Sequence, residues 1–581
     1  MGISASAPWL NFYGNMPKTL NYPEKTIYQI VHSTALQYPD NIAYEFMGKE
    51  TTYAEFMRRV DRTAKALLEL GIKQGDRVTI CMPNAPQALD TFYAINRIGA
   101  VSNMIHPLSA PGEIAFYLNF SHSKAVLTLD QFYGKIDQIR DQLEEPCKVI
   151  IARVKDELPS VLALAYPMTK AARKIPKLPK KGDYIMWNDF IARGKRRREP
   201  LPADDAVPYT EGASILYSGG TTGTTKGIVL TNLNFNALAA QIVATNPMFR
   251  PGDRMLSAMP LFHGFGLGVC IHSMLANGGR CILIPRFTAK SYAKQIVKYK
   301  CNFIAGVPTL YEALLRLPSM DGANLSSLKG VFSGGDSLSI ELKKKFDKFL
   351  YDHNATVQVR EGYGTTETVT ACCLTPTHMF KEGSIGLPFP DTYIKIVEPG
   401  TDREVPYGTE GEILLAGPTV MKEYMKHPEE TAQTLRTHAD GLTWVYTGDL
   451  GVMDEQGFIY FRGRAKRMII SSGYNVYPGQ IENVLDAHDA VQMSCVIGVP
   501  DAYKMQKVKA FVKLKDGAAA TEETKQDILD YCARHVAKYA MPYDIEFRDD
   551  MPKTLVGKVA YRVLEEEELA KLKAAENENK E

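Results

Sequence analysis

Apolar residues near the start of the chain alternate between the spacing of strands and the spacing of helices. Short apolar runs bounded by glycine or polar residues predict strands over residues 41–46, 77–82 and 100–105. Apolar positions at intervals of three and four predict helices from Tyr53 to about Gly71 and over residues 86–98. Strands that alternate with helices are typical of βαβ units. We therefore predict an α/β fold with mostly parallel sheets.

Length and charge exclude several classes of protein. With 581 residues the chain is too long for one compact core, so we expect several structural units. A net charge of +2 argues against an overall nucleic-acid binder. The nine cysteines show neither a CxxC pair nor a metal-binding spacing with histidine, which indicates a reducing compartment. No basic and apolar leader opens the sequence, and the most apolar window, residues 264–285, contains polar residues, so we predict a cytoplasmic protein without a membrane span.

A loop rich in glycine and threonine follows the apolar run over residues 213–216. The segment reads Tyr217-Ser-Gly-Gly-Thr-Thr-Gly-Thr-Thr-Lys-Gly227. Its glycines allow a close backbone approach, and its N–H groups, hydroxyls and Lys226 can all bind phosphate oxygens. It is not a Walker A loop, because Lys226 stands between a threonine and a glycine. Composition alone leaves two interpretations, a flexible turn or a phosphate-binding loop.

Further segments decide between these interpretations. Together with this loop they resemble the acyl-adenylate-forming, AMP-binding superfamily, and in particular bacterial medium- and long-chain fatty acid–CoA ligases. The similarity runs from about residue 25 to residue 562, in the family's order, through segments 260–266, 330–336, 361–367, 444–450, 457–482 and 552–562. It implies a large N-terminal α/β part with several subdomains, residues 1–465, and a small mobile α+β domain, residues 466–581. Lys466 is the implied hinge, and we expect a short helix and a frayed tail from about residue 565.

The resemblance implies which residues bind nucleotide. Tyr363 would offer a flat face to adenine, Thr366 a hydroxyl to the α-phosphate, Glu367 a carboxylate to Mg²⁺, and Asp449 its two oxygens to the ribose hydroxyls. The implied ATP- and AMP-binding residues are Ser218, Gly219, Gly220, Thr221, Thr222, Gly223, Thr224, Lys226, Gly334, Gly335, Asp336, Glu361, Gly362, Tyr363, Gly364, Thr365, Asp449 and Arg464.

It also implies catalytic, acyl and thiol-binding residues. Lys558 would stabilise charge between the substrate carboxylate and the α-phosphate, and His263 would position the carboxylate and then admit the thiol. Thr366 and Glu367 complete the implied catalytic set. The implied acyl pocket comprises Phe262, Gly264, Gly268 and Val307, and the implied coenzyme A tunnel comprises Gly473 and Tyr474. Two positions depart from the family pattern: Arg467 stands where many members carry an acid, and Gln480 where glutamate is frequent.

The implied function is that of an ATP-dependent acid–CoA ligase. It would form acyl-AMP and then acyl-CoA from ATP, Mg²⁺, coenzyme A and a medium- or long-chain fatty acid, and release AMP and pyrophosphate. An aryl or other bulky apolar acid is the alternative substrate. An acyl-AMP ligase that loads a carrier protein and a nucleotide-binding scaffold without turnover are further alternatives, and luciferase-like oxygen chemistry is a remote one.

Residues 158–181 differ from their surroundings. An apolar stretch is followed by basic residues interleaved with apolar residues and prolines. We favour a basic surface insertion with a short helix packed on the body. The alternative is a segment for peripheral docking on an anionic membrane.

Overall fold

The computed structural model describes residues 7–179, 182–203, 207–218, 225–285, 288–471, 474–501, 503–554 and 558–578. Within these ranges the strands form four sheets. The first sheet contains, from edge to edge, Leu387–Pro388, Cys373–Leu374, Val359–Tyr363, Gly330–Ser333, Phe303–Gly306, Arg254–Ser257, Arg280–Leu283, Ile42–Phe46 and Lys49–Thr52. The second contains Glu423–Tyr424, Lys226–Thr231, Gly212–Ser218, Val101–Met104, Arg77–Cys81, Ser123–Leu129, Lys148–Ala152 and Ile185–Met186.

Most neighbouring strands in these two sheets are parallel. The antiparallel pairings lie at both ends of the first sheet and, in the second sheet, on either side of strand Lys226–Thr231. The predicted α/β class with mostly parallel sheets is therefore confirmed. The predicted strands and helices of the N-terminal region are found within one or two residues of their expected bounds, for example Arg77–Cys81 and Tyr53–Glu69.

Two smaller sheets complete the chain and are mainly antiparallel. The third sheet consists of Tyr393–Val397, Glu410–Ala416, Thr443–Met453, Leu435–Thr437 and Ile459–Arg464. The fourth consists of Tyr474–Val476, Ile469–Ser471, Met505–Leu514, Val491–Asp501 and Asp544–Phe547. It has a core of its own, built around residues such as Ile469, Leu485 and Val508. The third sheet thus ends at Arg464 and the fourth begins at Ile469, on either side of the predicted hinge residue.

Helices cover the faces of the sheets. The α-helices are Ile27–Gln37, Tyr53–Glu69, Pro86–Arg97, Pro111–Ser121, Tyr133–Asp137, Ser160–Ala165, Lys170–Arg173, Trp187–Arg196, Asn232–Ala244, Ser273–Ala276, Ala289–Tyr299, Pro308–Leu315, Ile340–Asp352, Pro428–Thr434, Pro478–Asp486, Glu522–Ala533 and Tyr561–Glu578. A π-helix, Phe265–His272, lies fully buried in the main core.

Helix Tyr53–Glu69 illustrates how the sequence fixes these elements. The side chain of Thr52 caps its first turn by accepting the N–H of Glu55. The helix buries Phe56 and Val60, among others, and packs against Trp187–Arg196. A Cβ at Gly194 would collide with the backbone oxygen of Arg62. Glycine at this position is what lets the two helices approach so closely.

The C-terminal helix occupies most of the segment for which a short helix and a frayed tail were expected. It continues from Tyr561 to Glu578, and Leu564 is fully buried against the fourth sheet. Lys509 lies 2.7 Å from Glu568 and 2.9 Å from Glu546. Apolar packing and this buried charge cluster hold the helix on the sheet. Among the described residues, no helix is long and apolar enough to cross a membrane.

Candidate active site

The carboxyl ends of neighbouring strands of the first sheet meet strands of the third sheet. Tyr363 ends strand Val359–Tyr363, and its hydroxyl donates to Oδ2 of Asp449 at 2.7 Å. Arg464 faces Asp449 across the pairing of two adjacent strands, and its Nε lies 3.3 Å from Oδ1. Burial raises the pKa of Asp449, while Arg464 and Tyr363 act in the opposite direction. These three predicted residues therefore form one cluster.

A second cluster forms around Glu367, in the tight turn Thr366–Thr368. Oε1 of Glu367 accepts the hydroxyl of Tyr424 at 2.7 Å. The amine of Lys226 lies 4.6 Å from the centre of the Tyr424 ring. Tyr424 thus connects the turn that carries Thr366 and Glu367 with the end of the glycine-rich loop. The predicted residues Gly219, Gly220, Thr221, Thr222, Gly223 and Thr224 lie outside the described residues.

Lys558 enters the same region from the C-terminal part of the chain. Its Cε lies 3.5 Å from the position that a Cβ would occupy on Gly335, directly after strand Gly330–Ser333. Burial lowers the pKa of Lys558, and the nearby Asp336 acts against that shift. Lys558 also influences the ionisation of Asp449 and of His263. A cation from one end of the chain thus reaches residues of three earlier motifs.

His263 precedes the buried π-helix. Its Nδ1 accepts the backbone N–H of Phe265 at 3.2 Å, so the proton of the neutral ring resides on Nε2. Burial, and to a lesser extent Lys558, lower the pKa of His263 to about 3. At neutral pH this ring can therefore donate a hydrogen bond, but it carries no charge.

The predicted acyl-pocket residues pack closely against residues from other parts of the chain. A Cβ on Gly264 would collide with Oγ1 of Thr370, and one on Gly268 would lie 2.9 Å from Cδ2 of Leu238 and 3.0 Å from Cγ1 of Val369. Cγ1 of Val307 lies 3.7 Å from the position of a Cβ on Gly335, beside Lys558. The ring of Phe262 packs on that of His106, with their centres 4.2 Å apart.

The hinge and tunnel residues lie in the C-terminal part. Lys466 is in the short turn Ala465–Arg467, and the neighbouring Arg467 pairs with Glu482 and donates to the backbone oxygen of Val496 at 3.3 Å. The ring of Tyr474 is stacked on that of Tyr539, 4.4 Å between centres. Gly473 lies outside the described residues. The roles of Lys466, Gly473 and Tyr474 stay predictions.

Four buried oxygens in this region are unsatisfied. Oγ of Ser333, Oγ1 of Thr365, Oγ1 of Thr370 and Oδ1 of Asp449 make no hydrogen bond within the described part of the chain. Buried polar atoms are normally paired, so such atoms suggest a missing ligand. Glu361 and Gly362 lie between them on strand Val359–Tyr363, and burial raises the pKa of Glu361 to about 7. Asp336 and Gly364 lie on the loops that follow strands Gly330–Ser333 and Val359–Tyr363.

Sequence patterns missed some of these contacts. Tyr424 belongs to a strand of two residues, which is too short to show a period, and only its pairing with Lys226–Thr231 brings it to Glu367. Val369 and Thr370 were missed because their packing against Gly264 and Gly268 is a tertiary contact. Both adopt positive φ, 53° and 82°, which is uncommon for β-branched residues.

A sequence rich in glycine and threonine before Lys226, a buried carboxylate with one oxygen that makes no hydrogen bond among the described residues, and a buried lysine from the C-terminal part are typical of a site of the adenylate-forming type. The chain belongs to the AMP-binding enzyme family: the family's model matches residues 31–425, and the model of its C-terminal domain matches residues 480–558.

Individual proteins agree with this assignment over nearly the whole chain. A long-chain-fatty-acid–CoA ligase of Bacillus subtilis is 36% identical over 574 residues, which cover 97% of this chain and 99% of the relative. The crystal structure of the anthranilate CoA ligase AuaEII in complex with anthranoyl-AMP is 25% identical, with a TM-score of 0.82 and coverage of 97% and 99%. ATP-bound MatB from Rhodopseudomonas palustris is 26% identical, with a TM-score of 0.79 and coverage of 94% and 99%.

Proposed function

We propose that this protein is an ATP-dependent acid–CoA ligase and that its acid is a medium- or long-chain fatty acid. The observation that carries the proposal is the approach of Lys558 to Gly335, beside the cluster of Tyr363, Asp449 and Arg464. A positive charge beside the nucleotide site would stabilise the negative charge that develops when a carboxylate attacks a phosphate. The similarity to the Bacillus subtilis ligase supports the same reaction.

In the first step a carboxylate oxygen of the acid attacks the α-phosphorus of ATP. A new P–O bond forms, the bond to pyrophosphate breaks, and acyl-AMP results. Tyr363 would lie against adenine, and Oδ1 of Asp449, buried without a hydrogen bond in the described chain, would accept a ribose hydroxyl. The Lys558 ammonium would stabilise the negative charge that the carboxylate and the α-phosphate share in the transition state.

The phosphates would lie against the residues of the glycine-rich loop and the turn that follows strand Val359–Tyr363. Lys226, next to Tyr424, would contribute positive charge, and Thr366 a hydroxyl. Other implied nucleotide-binding residues lie at the ends of strands Gly330–Ser333 and Val359–Tyr363, close in sequence to the unsatisfied oxygens of Ser333 and Thr365.

Glu367 would hold Mg²⁺. One of its oxygens accepts the Tyr424 hydroxyl, which leaves the second as a hard ligand of the kind that Mg²⁺ prefers. Among the described residues no group of three or more His, Cys, Asp or Glu side chains could hold a metal. A single carboxylate fits Mg²⁺, because this ion is usually bound through one or two carboxylates together with substrate phosphates. When bound, the ion would neutralise phosphate charge.

In the second step the sulfur of coenzyme A attacks the acyl carbonyl carbon. The C–S bond forms, the C–O bond to AMP breaks, and the thiol proton passes to water. His263 is neutral and would orient the carbonyl through Nε2–H rather than remove a proton. We infer that the C-terminal part turns about Lys466 between the steps, which would withdraw Lys558 and bring Gly473 and Tyr474 to the thiol.

Two substrate classes remain. The side chains that pack on Gly268 of the π-helix, Leu238 and Val369, are apolar, which supports a fatty acid. The similarity to an anthranilate CoA ligase supports an aryl acid as the second candidate.

We also propose a peripheral contact with the membrane through residues 158–181. Fatty acids with long chains dissolve in bilayers, so an enzyme at the membrane surface would meet its substrate there. The basic residues of this segment, which contains no acidic residue, support the contact.

Pyrophosphate release tests the function. ATP and Mg²⁺ are offered with acetate, octanoate, palmitate or benzoate, each with and without coenzyme A. We expect turnover with octanoate or palmitate that depends on coenzyme A. Preference for benzoate would move the protein to the aryl class, release without coenzyme A consumption would indicate carrier loading, and silence on every acid would contradict the proposal.

A further inference from the structure

The segment that follows strand Lys148–Ala152 presents large apolar side chains to solvent. In helix Ser160–Ala165, Val161 is 78% exposed and Leu164 is 81% exposed, and Met168 in the following turn is 69% exposed. Leu162 is exposed as well, at 46%. Single exposed apolar residues are ordinary on protein surfaces, but four within one short stretch form a patch of the kind that marks an interaction site.

Packing fixes these side chains in their outward direction. The other side of the same stretch, with Leu158, Ala163 and Tyr166, packs into the main core. Just before it, the buried Glu157 lies 2.7 Å from Arg59 and 3.4 Å from Lys49. Because the inner side chains and this buried ion pair hold the segment in place, the outer ones cannot turn inward.

A neighbouring hairpin extends the patch. Met47 lies at the tip between strands Ile42–Phe46 and Lys49–Thr52 and is 43% exposed. Next to it, a Cβ on Gly48 would lie 3.9 Å from Cγ of Pro159, at the start of helix Ser160–Ala165. The apolar face, Met47, Val161, Leu162, Leu164 and Met168, therefore comes from two separate parts of the chain.

Positive charge borders the apolar face. Residues 158–181 contain six basic residues and no acidic one, although the net charge of the whole chain is only +2. Of the six, Arg173, Lys174 and Lys177 are exposed in the described part of the segment. Between and after them, Ile175 and Leu178 are only partly exposed, and Leu178 packs on the core under the second sheet. The basic side chains are thus held close to the surface rather than on a free tail.

We propose that the apolar face enters the headgroup region of an anionic lipid membrane while Arg173, Lys174 and Lys177 contact lipid phosphates. Apolar side chains beside a basic border are the combination that binds such interfaces. The high exposure of Val161 and Leu164 means that they project from the surface. Projecting side chains suit a deformable lipid layer better than the flat surface of a folded partner. The proposal deepens the membrane contact proposed above and does not depend on the ligase activity.

Vesicle sedimentation with the full chain tests the proposal. Vesicles of phosphatidylcholine alone are compared with vesicles in which phosphatidylserine replaces part of it. We expect the protein to sediment with the anionic vesicles and much less with the neutral ones. Replacement Val161→Ser with Leu164→Ser should weaken binding about tenfold, because each apolar side chain loses part of its transfer from water. Replacement of Arg173, Lys174 and Lys177 by Gln should weaken it about a hundredfold, because each basic residue contributes about fivefold.

Matched variants on other surfaces control for exposure and for charge. Leu36→Ser with Tyr351→Ser removes two similarly exposed apolar side chains, and Lys294→Gln, Lys298→Gln and Lys300→Gln remove three exposed charges from helix Ala289–Tyr299 and the residue that follows it. Both sets should bind vesicles like the unaltered protein. Pyrophosphate release with octanoate, measured without vesicles, should be unchanged in all variants. Loss of that activity with normal sedimentation would bear on the proposed function alone.

Three results would overturn the proposal. The first is equal sedimentation with both kinds of vesicle or with neither. The second is wild-type binding by both segment variants. The third is a lower molecular mass of the Val161→Ser, Leu164→Ser variant in analytical ultracentrifugation without vesicles, which would show that a second copy of the chain covers the apolar face.

Discussion

The phenolic oxygen of Tyr363 lies 2.7 Å from Oδ2 of Asp449, and this contact joins a strand of the first sheet to a strand of the third. The other carboxylate oxygen, Oδ1, lies 3.3 Å from Nε of Arg464 and has no hydrogen bond among the described residues. One oxygen is thus held by the protein and the other is available. This arrangement fits a carboxylate that is oriented in advance for a ribose hydroxyl.

Loss of the Tyr363 hydroxyl should weaken ATP binding. A hydrogen bond to a charged group contributes about 1.5–3 kcal/mol, so Tyr363→Phe should raise KM for ATP roughly tenfold to a hundredfold in ATP–pyrophosphate exchange. Tyr446→Phe, on the same strand as Asp449, is the control and should leave KM unchanged. In a double-mutant cycle, Tyr363→Phe should add little once Asp449 is Ala. Additive losses would show that the two residues act separately.

Removal of the Lys558 amine should impair adenylation but not the formation of acyl-CoA from acyl-AMP. Because it lies beside Gly335 and Asp449, Lys558→Ala should reduce ATP–pyrophosphate exchange about a hundredfold to a thousandfold, the usual loss for a group that stabilises a transition-state charge. Formation of acyl-CoA from added acyl-AMP and coenzyme A should stay within about threefold, since that step needs no charge at the α-phosphate. Lys553→Ala, exposed in the same segment, should change neither. Equal loss in both steps would contradict the role.

The ionisation of Lys558 should set an upper pH limit for adenylation. Burial lowers its pKa below the ordinary value of 10.5, so the ammonium is lost at lower pH than that of a free lysine. Adenylation should therefore decline with rising pH, with a midpoint below 10.5. The residual activity of Lys558→Arg should lack this decline, because guanidinium stays charged. The same profile in both proteins would assign the decline to another group.

His263 should not ionise in the physiological range. Burial places its pKa at about 3, far below the usual 6.5. The ring resonances that disappear in His263→Gln should stay constant between about pH 5 and 8 in NMR titrations. A titration of His263 near pH 6.5 would mean that the ring is hydrated and could act as a base.

A side chain at position 268 should restrict the enzyme to acids with shorter chains. A Cβ there would press on the ends of Leu238 and Val369, at 2.9 and 3.0 Å, and these flexible ends can yield slightly. We expect Gly268→Ala to fold, but to lower kcat/KM for palmitate roughly tenfold while octanoate changes less than about twofold. Gly112→Ala, which meets open space, is the control. Equal losses for both acids would place Gly268 outside the acyl pocket.

Much of the fold could be predicted because its signals are local. The strand Arg77–Cys81 and the helix Tyr53–Glu69 follow from periodic apolar residues. The residues of the Tyr363, Asp449 and Lys558 cluster were found through family resemblance, since they are far apart in sequence.

What could not be predicted depends on tertiary contacts. The run of glutamates in the last helix suggests a solvated surface, yet Glu568 is buried against Lys509. Arg467 replaces an acid that is frequent in the family, and only the structure shows that Glu482 pairs with it. Neither partner has a local signal.

Asp486 should make stability depend on pH. It ends helix Pro478–Asp486, accepts the hydroxyl of Ser494 at 2.8 Å, and has its pKa raised to about 7 by burial and by nearby Glu482. The folded protein therefore keeps a proton that the unfolded chain releases near the ordinary value of 3.8. The favourable contribution is complete below 3.8 and is lost as pH rises through about 7. Asp486→Asn keeps an acceptor oxygen and removes the charge.

We expect Asp486→Asn to raise Tm at pH 8 by roughly one to three degrees, and by less at pH 5, where the aspartate is still mostly protonated. Differential scanning calorimetry at both pH values measures the difference in Tm between the variant and the unaltered protein. Asp489→Asn, exposed just beyond the same helix, is the matched control. If Asp486→Asn changed Tm by the same amount at pH 5 and pH 8, Asp486 would ionise as freely in the folded protein as in the unfolded chain.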